Sequence, residues 1–267
     1  ADVLTGKVCA CGKLTDTIAK NIKDYPSTAN FGDPFKNYYK EDIYVGYRYF
    51  ETFAKDKVLY PFGYGLSYTT FETKAEIFKN TKDELTVSAT VTNTGSIKGK
   101  EVVQIYVKVP QGQLGNPTRK LIGFAKTQEL APGETEELMI IIPKYDMASY
   151  DDSGVTGHKS CYVLEEGMYE IFVGSDVRNA ESAGTYEEEF RVLEQLQEAY
   201  APVEKFQRMK AVLMSDGTYE AVTEVVPVRT VDPQKRRSEE MPKTLDYTGD
   251  KGYKLADVLD RKVSMDE

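Results

Sequence analysis

Leu85-Thr86-Val87-Ser88-Ala89-Thr90-Val91, the turn Asn93-Thr94-Gly95-Ser96, and Val102-Val103-Gln104-Ile105-Tyr106-Val107 decide the fold. The first segment alternates apolar and polar side chains, the period of a strand with one face in a core. Asn and Gly then mark a turn, and a second strand-sized run follows. Working outward, Leu121 to Lys126, the turn Ala131-Pro132-Gly133-Glu134, the run 137–142, Tyr169-Glu170-Ile171-Phe172-Val173-Gly174 and a last segment from Tyr186 to Leu193 repeat this texture. Short strands separated by turns, with no amphipathic helix between them, describe an antiparallel sandwich. The expected fold is therefore mostly β, an immunoglobulin/fibronectin type III-like antiparallel β-sandwich over residues 66–195.

The flanks read differently. Residues 13–60 are rich in loops, Tyr and Phe, with turn signals at Tyr25-Pro26-Ser27 and Gly32-Asp33-Pro34, so the N-terminal segment 1–65 is expected to be irregular. Beyond the sandwich, 196–250 reads as a C-terminal connector. Lys210-Ala211-Val212-Leu213-Met214 and Thr218-Tyr219-Glu220-Ala221-Val222 flank an Asp216-Gly217 turn as a hairpin would. Asp232 to Glu240 is charged and carries Pro233, which suits an exposed link. Ala1 to Lys7 has the look of a last helical turn closed by Gly6, Leu255 to Leu259 is spaced as a helix, and Ser264-Met265-Asp266-Glu267 resembles a helix N-cap. The expectation is a piece of a longer protein.

Composition narrows the function classes. The 267 residues carry 34 Lys and Arg against 43 Asp and Glu, a net charge of -9 that disfavours a nucleic-acid partner. No apolar run approaches the ~20 residues of a membrane-spanning helix. The aromatic content is 19 Tyr, 11 Phe and no Trp, compatible with a neutral ligand such as a sugar. Cys9, Cys11 and Cys161 lack metal-site spacing, and the first two lie too close for an unstrained bridge. Free thiols in a reducing compartment are expected, and with them a cytoplasmic location.

Two motif series carry a resemblance. Tyr44-Val45-Gly46-Tyr47-Arg48-Tyr49-Phe50, with Tyr60-Pro61-Phe62-Gly63-Tyr64-Gly65-Leu66-Ser67-Tyr68-Thr69-Thr70-Phe71, resembles the junction of glycoside hydrolase family 3 β-glucosidases at which an α/β sandwich domain hands over to a fibronectin type III-like domain. Val91-Thr92-Asn93-Thr94-Gly95, Gly99 to Val107, Leu121-Ile122-Gly123-Phe124 and Leu130-Ala131-Pro132-Gly133-Glu134 are similar to the ordered motifs of that β-sandwich. Gly6-Lys7 with Cys11-Gly12-Lys13-Leu14 resembles the segment upstream, although Cys9-Ala10-Cys11 and Thr15 depart from it. The resemblance implies the end of the α/β sandwich over 1–65 and, from 251–267, the start of a (β/α)8 barrel, the order of a subgroup with reversed domains. It implies a parent that hydrolyses terminal β-D-glucosyl residues with retention, acting on β-glucosides or cello-oligosaccharides. The remaining barrel and α/β domains would be its partners, with no cofactor, no metal, no nucleic acid and no membrane.

Retaining glycosidases need two carboxyls ~5–5.5 Å apart. By resemblance the nucleophile lies in the barrel and the acid/base outside the segments present here, so no catalytic residue is expected in this chain. Asp151-Asp152 and Glu165-Glu166 read as solvated turn charges, His158 as a surface-loop residue, and Cys161 as a packed small side chain. Gly63-Tyr64-Gly65 serves a turn into the first strand. The Tyr-rich stretch 38–50 allows interdomain packing or a place at a substrate-cleft rim, the rim candidates being Tyr44, Tyr47, Arg48 and Tyr49. Arg48 would be a buried ion-pair partner of Asp42 or Asp16, or a cleft residue. Two functional classes stand against each other: a non-catalytic accessory portion of a β-glucosidase, and a stand-alone carbohydrate-binding or adhesion-type module. An enzyme complete within the chain lacks any nucleophile–base pattern.

Overall fold

The computed structural model describes residues 1–198, 200–241 and 252–263, and Ser264 to Glu267 lie outside them. Two compact units divide at Arg229 and Thr230. The first opens with one helical turn: the N–H of Gly6 donates to Val3 O and that of Lys7 to Asp2 O, a Gly-closed C-terminus. A short antiparallel pair follows, β1 (Ile18–Ala19) with β2 (Val58–Tyr60), and between them lies helix α1 (Tyr47–Phe53). The expectation of an irregular segment missed this helix. Its Tyr and Phe residues favour strands, but Tyr47 and Glu51 fall four apart on one face while Phe50 and Ala54 fall on another.

The sandwich comprises β3 (Phe71–Asn80), β4 (Glu84–Asn93), β5 (Val102–Lys108), β6 (Lys120–Lys126), β7 (Thr135–Pro143), β8 (Ser149–Asp151), β9 (Cys161–Leu164), β10 (Gly167–Gly174), β11 (Glu181–Glu188) and β12 (Arg191–Gln195). All pairing is antiparallel, in sheets ordered β11-β10-β5-β6, β3-β4-β7 and β12-β9-β8. Leu85, Val87, Ala89 and Val91 of β4 face Val103, Ile105 and Val107 of β5 and Ile171 and Val173 of β10 in one buried core. The turn after β4 is organised by the fully buried Asn93. Its amide donates to Ile97 O and Leu130 O while its Oδ1 accepts from Thr69 and Gly95, which leaves no polar atom of the side chain unpaired.

Three local expectations change. The segment expected from Tyr186 to Leu193 is two strands, β11 and β12, broken at Glu189-Phe190. Of the pairs read as solvated charges, Glu166 is exposed and Asp152 half-buried, but Asp151 is fully buried and Glu165 nearly so. Asp151 accepts from the backbone N–H groups of Ser153, Gly154, Val155 and Thr156 and from the Ser153 and Thr156 hydroxyls, so one carboxylate winds the loop around itself. Glu165 does the same for another loop, accepting from Gln113 and Leu114. Gly112 there has φ +48, and a Cβ on it would overlap the Glu165 carboxylate.

Strands β13 (Gln207–Leu213) and β14 (Tyr219–Val225) form the expected hairpin, Asp216 accepting from the backbone and hydroxyl of Thr218 at its tip. The second unit carries helix α2 (Pro233–Glu240) and helix α3 (Leu255–Leu259). The Asp232-Glu240 stretch, expected as an exposed link, is exposed and takes the form of a short helix. Asp232 caps it by accepting from Gln234 and Lys235, and Pro233 sits where a missing N–H costs nothing.

Burial alone would push the Asp151 carboxyl up, but the hydrogen bonds from Thr156, Gly154 and Ser153 outweigh it and hold it below the ordinary aspartate range. A depressed folded-state pKa gives stability that is complete above the unfolded value and vanishes as pH falls through the folded one. Asp151→Asn is expected to cost about 2–3 kcal/mol near neutral pH, from charge-assisted bonds and two donors left facing an amide N–H. The gap between variant and parent should shrink below about pH 4, measured by urea unfolding across pH.

Candidate functional site

Of the residues singled out in 38–50, Tyr47 lies where the N-terminal segment covers the outer face of the sheet β11-β10-β5-β6. Strand β5 is buried on both sides: Val103, Ile105 and Val107 enter the core, while Gln104 and Tyr106 face the junction. That explains why its apolar residues do not alternate with exposed polar ones. Tyr106, Phe172 and Val177 form a second cluster with Tyr47, Phe62 and Leu121. The Tyr47 ring lies 4.6 Å from Phe62 and 6.1 Å from Tyr106, both in favourable tilted or edge geometry.

Polar groups beneath these rings are closed off in turn. The β5–β6 register shifts at Tyr106, and the N–H of Leu121 there donates to the Tyr47 hydroxyl at 2.9 Å. Tyr106 donates to Gln104 Oε1 at 2.6 Å, and the Gln104 amide donates to Ser175 O at 2.6 Å and Gly63 O at 3.4 Å. Gly63 has φ +82 and no room for a Cβ, which would overlap the Gln104 amide. The turn reading of this glycine holds, and a close approach adds to it. Helix α1 is stitched on by side chains: Arg178 donates to the buried Glu51 at 3.0 Å and to Lys55 O, while Thr118 donates to Thr52 Oγ1 through its N–H and to Glu51 O through its hydroxyl.

The four rim candidates occupy distinct places. Tyr44 is buried, packs its ring on Phe53, and accepts from the Ala211 N–H of β13; burial pushes its hydroxyl up to about 12. Tyr47 and Tyr49 are half-buried, the latter edge-on to Phe50 and tilted against Phe53. Arg48 is half-buried with its guanidinium 6.0 Å from the Tyr47 ring. Neither expected ion pair forms. Asp16 accepts from the Thr17 N–H, and Asp42 faces Arg208 at 3.2 Å. The charge beside Arg48 is Lys120, whose ammonium falls to about 8 through burial and through that like charge.

Arg208 is the residue that sequence reasoning missed. On β13 it holds Asp152 through two nitrogens at 2.5 and 2.9 Å, Glu224 of β14 at 2.8 Å, and Asp42 of the junction. One guanidinium thus ties three segments. Burial would lower its pKa, but the carboxylates raise it well above the usual arginine value, and the wide sequence separation of its partners hid such a node. Among the described residues no group of three His, Cys, Asp or Glu side chains could hold a metal ion. His158 is exposed and stacks on Phe190 at 5.4 Å, as a surface-loop residue does. Cys161 is buried, and all three cysteines are unbridged.

Fold and junction define a fibronectin type III-like β-sandwich built together with an aromatic junction segment. The family model for the fibronectin type III-like domain matches residues 101–177. The chain is 49% identical over its whole length to a β-glucosidase of Ruminococcus albus and 46% identical over 86% of its length to β-glucosidase A of Butyrivibrio fibrisolvens. A solved β-glucosidase from Paenibacillus barengoltzii superposes on 98% of it at 52% identity with a TM-score of 0.89. The chain thus matches a portion of β-glucosidases of glycoside hydrolase family 3, and it spans only 28% and 30% of the two curated relatives and 30% of the solved one.

Tyr47→Phe keeps the ring stack and strands the Leu121 N–H, an expected loss of about 1–3 kcal/mol. Gly63→Ala forces a left-handed alanine into the Gln104 amide and should cost more, about 2–4 kcal/mol. Urea unfolding midpoints of the two variants check both the size and the order.

Proposed function

We propose that this chain is the non-catalytic accessory portion of a retaining β-glucosidase, stabilising the catalytic domains of a longer protein that removes terminal β-D-glucosyl residues from β-glucosides or cello-oligosaccharides. In this reading residues 1–65 end an α/β sandwich domain, 66–195 form the fibronectin type III-like domain, 196–250 connect, and 251–267 begin the barrel. The location is cytoplasmic, in keeping with three unbridged thiols.

The observation that carries the reading is the junction itself. Its inner side is consumed by the sandwich, while its outer side leaves large apolar groups unburied: Ile22 is 71% exposed, Phe31 81%, Phe35 92% and Leu66 70%. Exposed apolar surface of this size, on a segment that already covers one domain, fits a second domain packing against it. Any rim role for Tyr44, Tyr47, Arg48 and Tyr49 falls chiefly to Arg48 and Tyr49, because Tyr44 and Tyr47 spend both ring and hydroxyl inside the junction.

The test uses the isolated chain and the longer protein read from the same frame. The isolated chain should leave an aryl β-glucoside intact, the longer protein should hydrolyse it, and deletion of 66–195 should lower both its thermal midpoint and kcat. Hydrolysis by the isolated chain, or a deletion variant with unchanged midpoint and kcat, would refute the accessory role.

A further inference from the structure

Outside the aromatic junction cluster, one face of the sandwich carries a row of tyrosines that packing only partly covers. Cross-strand pairing sets Tyr150 of β8 opposite Tyr162 of β9, and Tyr162 opposite Glu194 of β12, so these side chains share a face. Tyr145 joins them from the turn after β7. Its ring lies 5.1 Å from Tyr162, which lies 5.2 Å from Tyr150, with successive planes tilted by 49° and 53°. Tyr145 is 43% exposed and Tyr150 40%. The row leads into a cavity of about 340 Å³ lined by Tyr150, Asp152, Lys159, Gln197 and Tyr200 among others. The Tyr200 ring is fully exposed at its wall.

This surface differs from the tyrosines that fasten the junction and the core. Tyr25, Tyr44, Tyr47 and Tyr169 each join their hydroxyl to a backbone group, as a packed tyrosine does. At the row, Tyr145 and Tyr150 stay exposed while Tyr162 between them packs on the core, and the polar groups beside them are a carboxylate, Glu194, which accepts from the Tyr145 hydroxyl, and an amide, Gln197. Lys159 is engaged by Glu198 at 2.8 Å and Asp152 by Arg208, so no spare cation is shown that would favour an anion. Flat apolar ring faces bordered by hydroxyl acceptors suit a ring with C–H groups on its faces and hydroxyls on its edge. The volume lies at the lower end for small-ligand pockets, enough for one sugar unit. The tilt of about 50° between successive rings suits a twisted, soluble chain better than a flat crystalline surface.

We propose that the Tyr145–Tyr162–Tyr150 row and the Tyr200 cavity bind a neutral pyranose oligosaccharide, its chain lying across the three rings and one terminal unit entering the cavity. The inference concerns a surface outside the aromatic junction cluster and does not depend on the accessory role.

Because the chain has no Trp, tyrosine emission reports directly on such binding. Cellotetraose and maltotetraose are titrated into the 267-residue chain, with calorimetry in parallel. Binding of either sugar is expected, weakened about tenfold by Tyr150→Ala and by Tyr200→Ala, the loss of one stacking contact, and unchanged by Tyr39→Ala on the junction. Tyr200→Ala removes a fully exposed side chain and keeps the test valid should Tyr150→Ala fold poorly. No saturable signal with either sugar at millimolar concentration would overturn the proposal. So would parent-like affinity in a folded Tyr150→Ala and in Tyr200→Ala.

Discussion

The structure depends on one strand being buried on both faces. Strand β5 gives Val103, Ile105 and Val107 to the sandwich core and Gln104 and Tyr106 to the junction cluster. An open immunoglobulin-like sheet normally turns its outer face to water. Here that face carries Tyr106 and Phe172, which the helix Tyr47–Phe53 and Phe62 must cover. The polar atoms beneath that cover leave no slack: Gln104 serves Gly63, Ser175 and Tyr106 at once, and Tyr47 serves Leu121. Each donor or acceptor lost there would be stranded out of water at a cost of about 1–3 kcal/mol. Sandwich and junction are therefore parts of one compact unit, which extends through the hairpin to Arg229.

Buried charge does the corresponding work at the other end of that unit. Asp151 and Glu165 are each the centre of a loop, satisfied by N–H groups of the chain they shape. Arg208 gathers Asp42, Asp152 and Glu224. Such groups add little net stability against an apolar replacement, since desolvation offsets much of the attraction. Their effect is on which arrangement forms: a loop wound on a carboxylate has one conformation, and a hairpin held by a forked guanidinium has one docking pose.

This division explains what could be read from the sequence. Strand β4 alternates cleanly because one face is core, whereas β5 was legible as a strand but not as one covered on both faces. The Asp216-Gly217 hairpin and the Asn93 turn were legible because their chemistry is local. Helix α1 was not, since Tyr47 and Tyr49 favour strands in isolation and only the sandwich face draws Tyr47 and Glu51 into line. Strands β8 and β9 are three and four residues long, below the length at which alternation carries information. Asp151 and Glu165 look like any turn carboxylate until the folded loop brings donors to them. The Arg208 node joins residues 42, 152, 208 and 224, and no local pattern links such separations.

Tyrosine unites these observations. A chain with 19 Tyr and no Trp can use the same side chain in two ways, because its ring is apolar and its hydroxyl reaches past the packing layer to a backbone group. Tyr44 and Tyr47 do this across the junction, each ending on a backbone N–H of a segment distant in sequence, Ala211 and Leu121. Trp offers a donor only and could not accept from those N–H groups; Phe could not reach them. The aromatic richness of residues 38–50 is thus a requirement of joining segments whose edges present amide donors. Tyr145 and Tyr150, by contrast, keep 43% and 40% of their surface exposed, and Tyr145 spends its hydroxyl on the Glu194 carboxylate.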